Sequence, residues 1–226
     1  DRIYLSPINP LDAEQYVEWL NNIETAKYLG QYTKIHTVSG EEEWISNLPK
    51  NGGYNFAIVL NDGDKLLGNI SLVNINKTNR TAELGIFIGN EDYLSKGYGS
   101  EAIMLILDYG FNYLNLFNIM LKALSFNKRA LKAYEKCGFK TFGVWKESEY
   151  FNGEYFETFQ KYLNREQSKI VQLNKRNEAR RFELYEQYVS GEIDTNAYNR
   201  MTERITVVEK DLVTRQKEIE RSGKIT

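Results

Sequence analysis

Several residue types that build whole classes of protein are scarce in this chain. Cys137 is the single cysteine among 226 residues, which excludes an internal disulfide framework and leads us to expect a reducing, cytoplasmic setting. His36 is the single histidine, and without a second His/Cys cluster no metal site of the usual kinds is expected. No run of about 18 apolar residues occurs, so no membrane-spanning helix is expected. The opening DRIYLSPINP has neither a basic n-region nor an apolar h-region, and no targeting segment is expected there. Charge of one sign is also lacking: the net charge of −2 gives no support to generic nucleic-acid binding. What is present, 42% hydrophobic and 13% aromatic residues, belongs to a folded chain long enough for one sizeable core or one domain with an appendage.

Composition shifts along the chain and suggests a boundary. Residues 1–163 hold all three prolines, all three tryptophans and 14 of the 16 glycines. From Asn164 onward nearly every position suits a helix, and 13 Lys/Arg stand against 11 Asp/Glu, so this stretch is a mixed-charge helical segment and not a basic arm. Two parts are expected, 1–163 and 164–226. In the first, periodicity and turn residues predict a strand over 3–8, a helix over 11–29, and a second helix over 39–48 capped by Ser39 with Glu42 three residues on. A hairpin of 54–60 and 65–75 turns through Asn61-Asp62-Gly63-Asp64, and a strand follows over 82–89. Then come a helix from about Gly97 to Leu114, a strand over 118–125, a helix over 127–138, and a closing hairpin over 139–163 turning at Asn152-Gly153. This order predicts an α/β fold: a mixed, mainly antiparallel sheet with helices on both faces.

The stretch YLSKGYGSEA sits between a strand and a long apolar helix. It reads either as a flexible turn or as an anion site, because a helix start leaves backbone N–H groups aimed at one point and glycine lets a ligand approach closely. Asn127 and Tyr134, seven apart on one predicted helix, project from nearly the same face. Asn127 is a natural N-cap, and Tyr134 also reads as a core aromatic. Glu83 shares a strand face with Gly85 and Phe87, with Leu84, Ile86 and Ile88 opposite.

YLSKGYGSEAIMLILDYGF followed by ALSFNKRALKAYEKCGFKTFG resembles the GNAT superfamily of acetyl-CoA-dependent N-acetyltransferases, in particular the branch of ribosomal-protein and spermidine acetyltransferases. The resemblance spans about 1–163, including YLSPINPLDAEQYVEWLNN. It implies a GNAT-type sheet and acetyl-CoA as cosubstrate, with Phe87, Ile88, Leu94, Ser95, Lys96, Gly97, Tyr98, Gly99, Ser100, Asn127 and Tyr134 binding it. The turn from Leu94 to Gly99 would take the pyrophosphate, although the general family pattern has Gln or Arg where this chain has Leu94. Acetyl transfer needs an unprotonated amine, donors for the oxyanion and a proton for the departing thiolate. By resemblance Tyr134 supplies that proton and Glu83 is the general base, whose other reading is a solvent-exposed strand carboxylate. Cys137 beside Gly138 reads as packing at a helix end, with no activating base for a nucleophilic role.

The acceptor is read only as a primary amine: a protein N-terminus, a polyamine or another small amine. His36 reads either as a loop residue or as an acceptor contact. Glu41, Glu42 and Glu43 read as the acidic first turn of a helix rather than as a lure for cations. In the tail, Tyr198, Met201, Ile205, Val208, Leu212 and Ile219 follow a 3-4 spacing, and VSGEIDTN marks a break between two helices. The stretch LYEQYVSGEIDTNAYNRMTERITVVEKDL resembles the coiled-coil region of large serine recombinases, in shape only. A helical hairpin that makes a homodimer is expected. The rival readings are an acyl-CoA-binding sensor without catalysis and an interaction module acting through the coil.

Overall fold

The structure, a computed structural model, describes residues 2–222. The chain divides into two units, Asp1–Asn164 and Arg165–Thr226. In the first, β1 (Ile3–Pro7) leads into α1 (Ala13–Asn21), α2 (Ile23–Ala26) and α3 (Val38–Asn47). Next come β2 (Tyr54–Leu60), β3 (Leu66–Asn76), β4 (Thr81–Ile88), α4 (Tyr98–Asp108), β5 (Asn118–Leu124) and α5 (Lys128–Lys136). The hairpin β6 (Lys140–Phe151) and β7 (Glu154–Asn164) closes the unit. The seven strands form one sheet in the order β1-β2-β3-β4-β5-β7-β6, antiparallel throughout except where β4 meets β5.

Alternation along β4 builds both faces of the core. Leu84 is buried, and Ile86 and Ile88 pack with it toward α4, whose Ala102, Ile103, Ile106 and Leu107 recur at helical spacing. Phe87 points the other way, into a smaller cluster with Tyr16 and Trp19 of α1. Directly after this strand Gly89 has to be glycine, because a Cβ there would overlap the Trp19 ring.

Three local expectations are corrected. The helix expected over 11–29 breaks at Asn22, which is extended (φ −80°, ψ 115°) and whose side chain accepts from the Glu24 amide to start α2. An asparagine that satisfies a backbone donor competes with helix continuation. α3 is capped by Thr37, whose Oγ1 accepts from the Gly40 amide at 3.2 Å, and not by Ser39, which lies inside the helix. α4 stops at Asp108 and widens into a π-helical turn over Tyr109–Tyr113 instead of continuing regularly to Leu114.

The second unit is a pair of helices, α6 (Arg165–Val189) and α7 (Thr195–Ser222). Gly191 takes a left-handed φ of 80° between them, and Asp194 accepts from the Ala197 amide at 2.7 Å to start α7. The less exposed stripe of α7 is Tyr198, Thr202, Ile205, Glu209, Leu212, Gln216 and Ile219, a regular 4-3 repeat. Met201 and Val208, expected on the seam, are off it and exposed. Polar members, Thr202 and Glu209, fill their places: Glu209 takes both Arg181 Nε (3.0 Å) and Nη2 (2.8 Å), and beside the seam Thr206 Oγ1 accepts from the same guanidinium. Ile170, Leu184 and Leu212 are the buried apolar residues of these two helices, and Tyr188 stacks on Tyr198. Among the described residues no helix is long and apolar enough to cross a membrane.

Candidate active site

The two parallel strands pair only where Thr81–Glu83 meet Asn118–Met120. Beyond that point they diverge. β4 remains paired to β3 through Ile88, and β5 to β7 through Leu124, so the facing edges in the wedge between β4 and β5 have no strand partner. Backbone N–H and C=O groups along such edges suit an extended, amide-containing ligand. The wedge opens into a cavity of about 870 Å³.

At one wall stands the glycine turn. Ser95 (φ 61°) and Gly97 (φ 90°) are both left-handed, and Gly97 caps α4 with no side chain bonded to the first amides. Those donors, with the helix dipole behind them, meet the chemical requirement of a phosphate site. Arg129, Lys132 and Lys136 of α5 also line the cavity, adding three cations. The donor set therefore fits the diphosphate of a coenzyme A.

Asn127 caps α5: its Oδ1 accepts from the Ala130 amide at 3.1 Å, which leaves the amide nitrogen to donate to a ligand. About two turns on along the same face, Tyr134 is buried at 7% exposure and still lines the cavity. Burial first, and Cys137 second, push its hydroxyl up to about 12, so it is a protonated donor at neutral pH. The helix is held to the sheet beside it by Lys161, whose buried ammonium reaches Glu135 Oε1 (3.2 Å) and Thr141 Oγ1 (3.0 Å).

Glu83 stands at the apex of the wedge, the last residue of β4 paired to β5. Its Oε1 lies 3.2 Å from Lys122 Nζ, and its Oε2 accepts from Asn74 Nδ2 at 3.1 Å. Asn74 reaches it from an irregular stretch of β3, where its own φ is 52°. The carboxylate is thus oriented by two partners while remaining partly open to solvent.

The cavity gathers Glu83, Phe87, Ile88, Leu94, Ser95, Gly97, Tyr98, Gly99, Ser100, Asn127 and Tyr134. Lys96 is not in its wall: its ammonium sits 5.7 Å from the Tyr93 ring centroid and its carbonyl faces Arg2. Phe87 spends its side chain on Trp19. His36 is elsewhere, its backbone clasped by the Asn21 side chain through two 2.9 Å hydrogen bonds. Glu41 is buried, which pushes its carboxyl up, and Glu42 and Glu43 are exposed on α3; none of the three lines the cavity.

Sequence reasoning missed the wall formed by β6 and the segment after α2. β6 loses register with β7 between Trp145 and Glu149, with Glu147 left-handed (φ 50°), and this bulge brings Trp145, Ser148 and Glu149 to the cavity. Ser148 fixes the bulge by bonding Thr158 Oγ1 at 2.8 Å. Gly30, left-handed at φ 64°, passes close enough that a Cβ would lie 3.5 Å from Glu149 Oε1. The one available signal was the failure of apolar alternation in WKESEY.

The pattern of the acetyltransferase (GNAT) domain matches residues 2–140. The chain belongs to the GNAT acetyltransferase family. It is 26% identical over 162 residues to an uncharacterized N-acetyltransferase, p20, of Bacillus licheniformis, covering 70% of this chain and 90% of that protein. Over a shorter stretch of 94 residues it is 39% identical to the spermidine N(1)-acetyltransferase of Escherichia coli (strain K12), covering 42% of this chain and 50% of that one. Spermidine N-acetyltransferase from Vibrio cholerae, solved in complex with CoA and spermine, superposes with a TM-score of 0.68 at 26% identity over 74% of this chain and 98% of that one. This chain is accordingly a GNAT-type N-acetyltransferase with an additional pair of long C-terminal helices.

Proposed function

We propose that this GNAT enzyme transfers the acetyl group of acetyl-CoA to a primary amine by direct attack in a ternary complex. The observation that carries the reading is a single cavity shared by the glycine turn, the open β4/β5 wedge, Glu83 and Tyr134. The diphosphate is held at the amides of the turn, and the pantetheine arm along the unpaired edges with Asn127. Bound acetyl-CoA supplies the acetyl thioester. As the amine nitrogen bonds to the acetyl carbon, Glu83 takes its proton through water. As the carbon–sulfur bond breaks, Tyr134 gives its proton to the sulfur. Cys137 is fully buried behind the turn, 3.7 Å from the Ser100 carbonyl, and takes no acetyl group.

Glu24, Glu83 and Glu149 line the cavity together with Tyr28 and Trp145. Carboxylates and aromatic faces favour a cationic amine, and the polyamine named for the relatives supports a polyamine acceptor. A sensor without catalysis is disfavoured because both proton-handling groups stand in the cavity. Glu83→Gln is expected to lower kcat by about tenfold or more with CoA affinity kept; full turnover by the folded variant places the base elsewhere.

The tail is read as the assembly device, a homodimer formed through the C-terminal helices. Phe182, Tyr185, Val189, Val207 and Val213 remain more than half exposed on α6 and α7, and burial against a second copy is the common solution for such surfaces. Deleting 165–226 is expected to shift the mass in solution from dimer to monomer while calorimetric titration still finds CoA bound. A monomeric full-length chain rejects dimerisation, and a full-length chain that binds no CoA rejects the enzymatic reading.

A further inference from the structure

Arg2 embraces the glycine turn from outside the cavity. Its amide donates to Glu101 Oε1 at 2.6 Å, and its Nε donates to Glu101 Oε2 at 2.9 Å, with Nη2 at the same distance from that oxygen. Nη1 donates to the Lys96 carbonyl at 3.0 Å, and the guanidinium carbon lies 4.2 Å from the centre of the Tyr98 ring. Directly beside it is Gly97, where a Cβ would stand 3.3 Å from Nη2. One side chain therefore holds residues 96, 98 and 101, the turn and the first helical turn that follows it.

The chemistry gives this grip a purpose. Glu101 is the acidic residue in the first turn of α4, where a carboxylate gains from the helix dipole but repels an arriving phosphate. The fork of Arg2 neutralises that charge at close range, and its bond to the Lys96 carbonyl ties down the residue directly before Gly97. Arg2 is not in the cavity wall, so it acts through the turn and not on the ligand.

We infer that Arg2 is a positioning residue for the diphosphate of acetyl-CoA: it fixes the Gly97–Gly99 amides and cancels the charge of Glu101 behind them. The inference rests on the acetyl-CoA reading given above. Steady-state kinetics of the full chain with two donors, acetyl-CoA and S-acetylpantetheine, which lacks the diphosphate, tests it. Arg2→Ala is expected to raise KM for acetyl-CoA about tenfold or more while kcat changes less than about twofold and kcat/KM for S-acetylpantetheine is unchanged. Arg2→Lys, which keeps the charge without the fork, is expected to fall between, and adding Glu101→Gln to Arg2→Ala is expected to recover part of the lost KM. An unchanged KM for acetyl-CoA, or equal losses with both donors, overturns the inference. A wild-type chain that turns over neither donor rejects the acetyltransferase reading itself. Arg2 is exposed, but should Arg2→Ala melt early, Arg2→Lys with an unshifted KM serves as the contradicting result.

Discussion

Tyr134→Phe is expected to lower kcat by about tenfold or more while leaving the melting temperature and CoA affinity close to the wild-type values. The ring keeps its edge contact with Phe139 at 6.1 Å and its burial, so packing is conserved and only the hydroxyl is lost. That hydroxyl is held protonated to about 12, mainly by burial, so it can give a proton to a departing thiolate at any ordinary pH. For the same reason no alkaline limb from Tyr134 is expected in the free enzyme's profile below its ordinary value near 10. Full turnover by a folded Tyr134→Phe removes Tyr134 from the acid role.

The second large effect concerns Gly97. Its φ of 90° is strained for any L-residue, and an added Cβ stands 3.3 Å from Arg2 Nη2. Gly97→Ala is expected to cost about 1–2 kcal/mol of stability. It is also expected to weaken CoA about tenfold or more, because strain relieved by moving the turn spoils charge-assisted hydrogen bonds from its amides. Gly99→Ala is the control: its Cβ meets Ile86 and Ile88 at an ordinary 3.9 Å and its φ is not left-handed. That variant is expected to keep or slightly gain stability, since alanine is favoured over glycine in a helix by about 1 kcal/mol. A folded Gly97→Ala with unchanged CoA affinity by calorimetry moves the diphosphate away from this turn.

The strands were legible because period-two apolar runs and turn pairs such as Asn152-Gly153 are local signals, and the structure places β6 and β7 on either side of that pair. The wedge was not legible. It exists because β4 and β5 each satisfy one edge elsewhere and separate after Glu83, a property of pairing that no single strand encodes. The bulge at Trp145–Glu149 was hidden because it is made by Glu147, a residue with no bias toward positive φ. On α7 an apolar count chose Met201 and Val208, but the helix turns Thr202 and Glu209 inward instead. Thr202 satisfies its hydroxyl on the Tyr198 carbonyl at 2.8 Å, and Glu209 meets Arg181, so polarity at these positions carries no burial penalty. In the site, the sequence singled out residues whose chemistry is tied to a short motif, Gly97, Asn127 and Tyr134. Lys122, Asn74 and Glu149 escaped because only the folded sheet brings them to Glu83 or the cavity.

The most direct test of the central claim is the release of free thiol from acetyl-CoA in the presence of a panel of amines that includes spermidine, a simple diamine and a peptide with a free N-terminus. Amine-dependent thiol release matched by acetylated amine in the product is expected, fastest with a polycationic acceptor and reduced by Tyr134→Phe. CoA bound by calorimetry with no amine-dependent release for any member of the panel would contradict it and leave a binding protein in place of an enzyme.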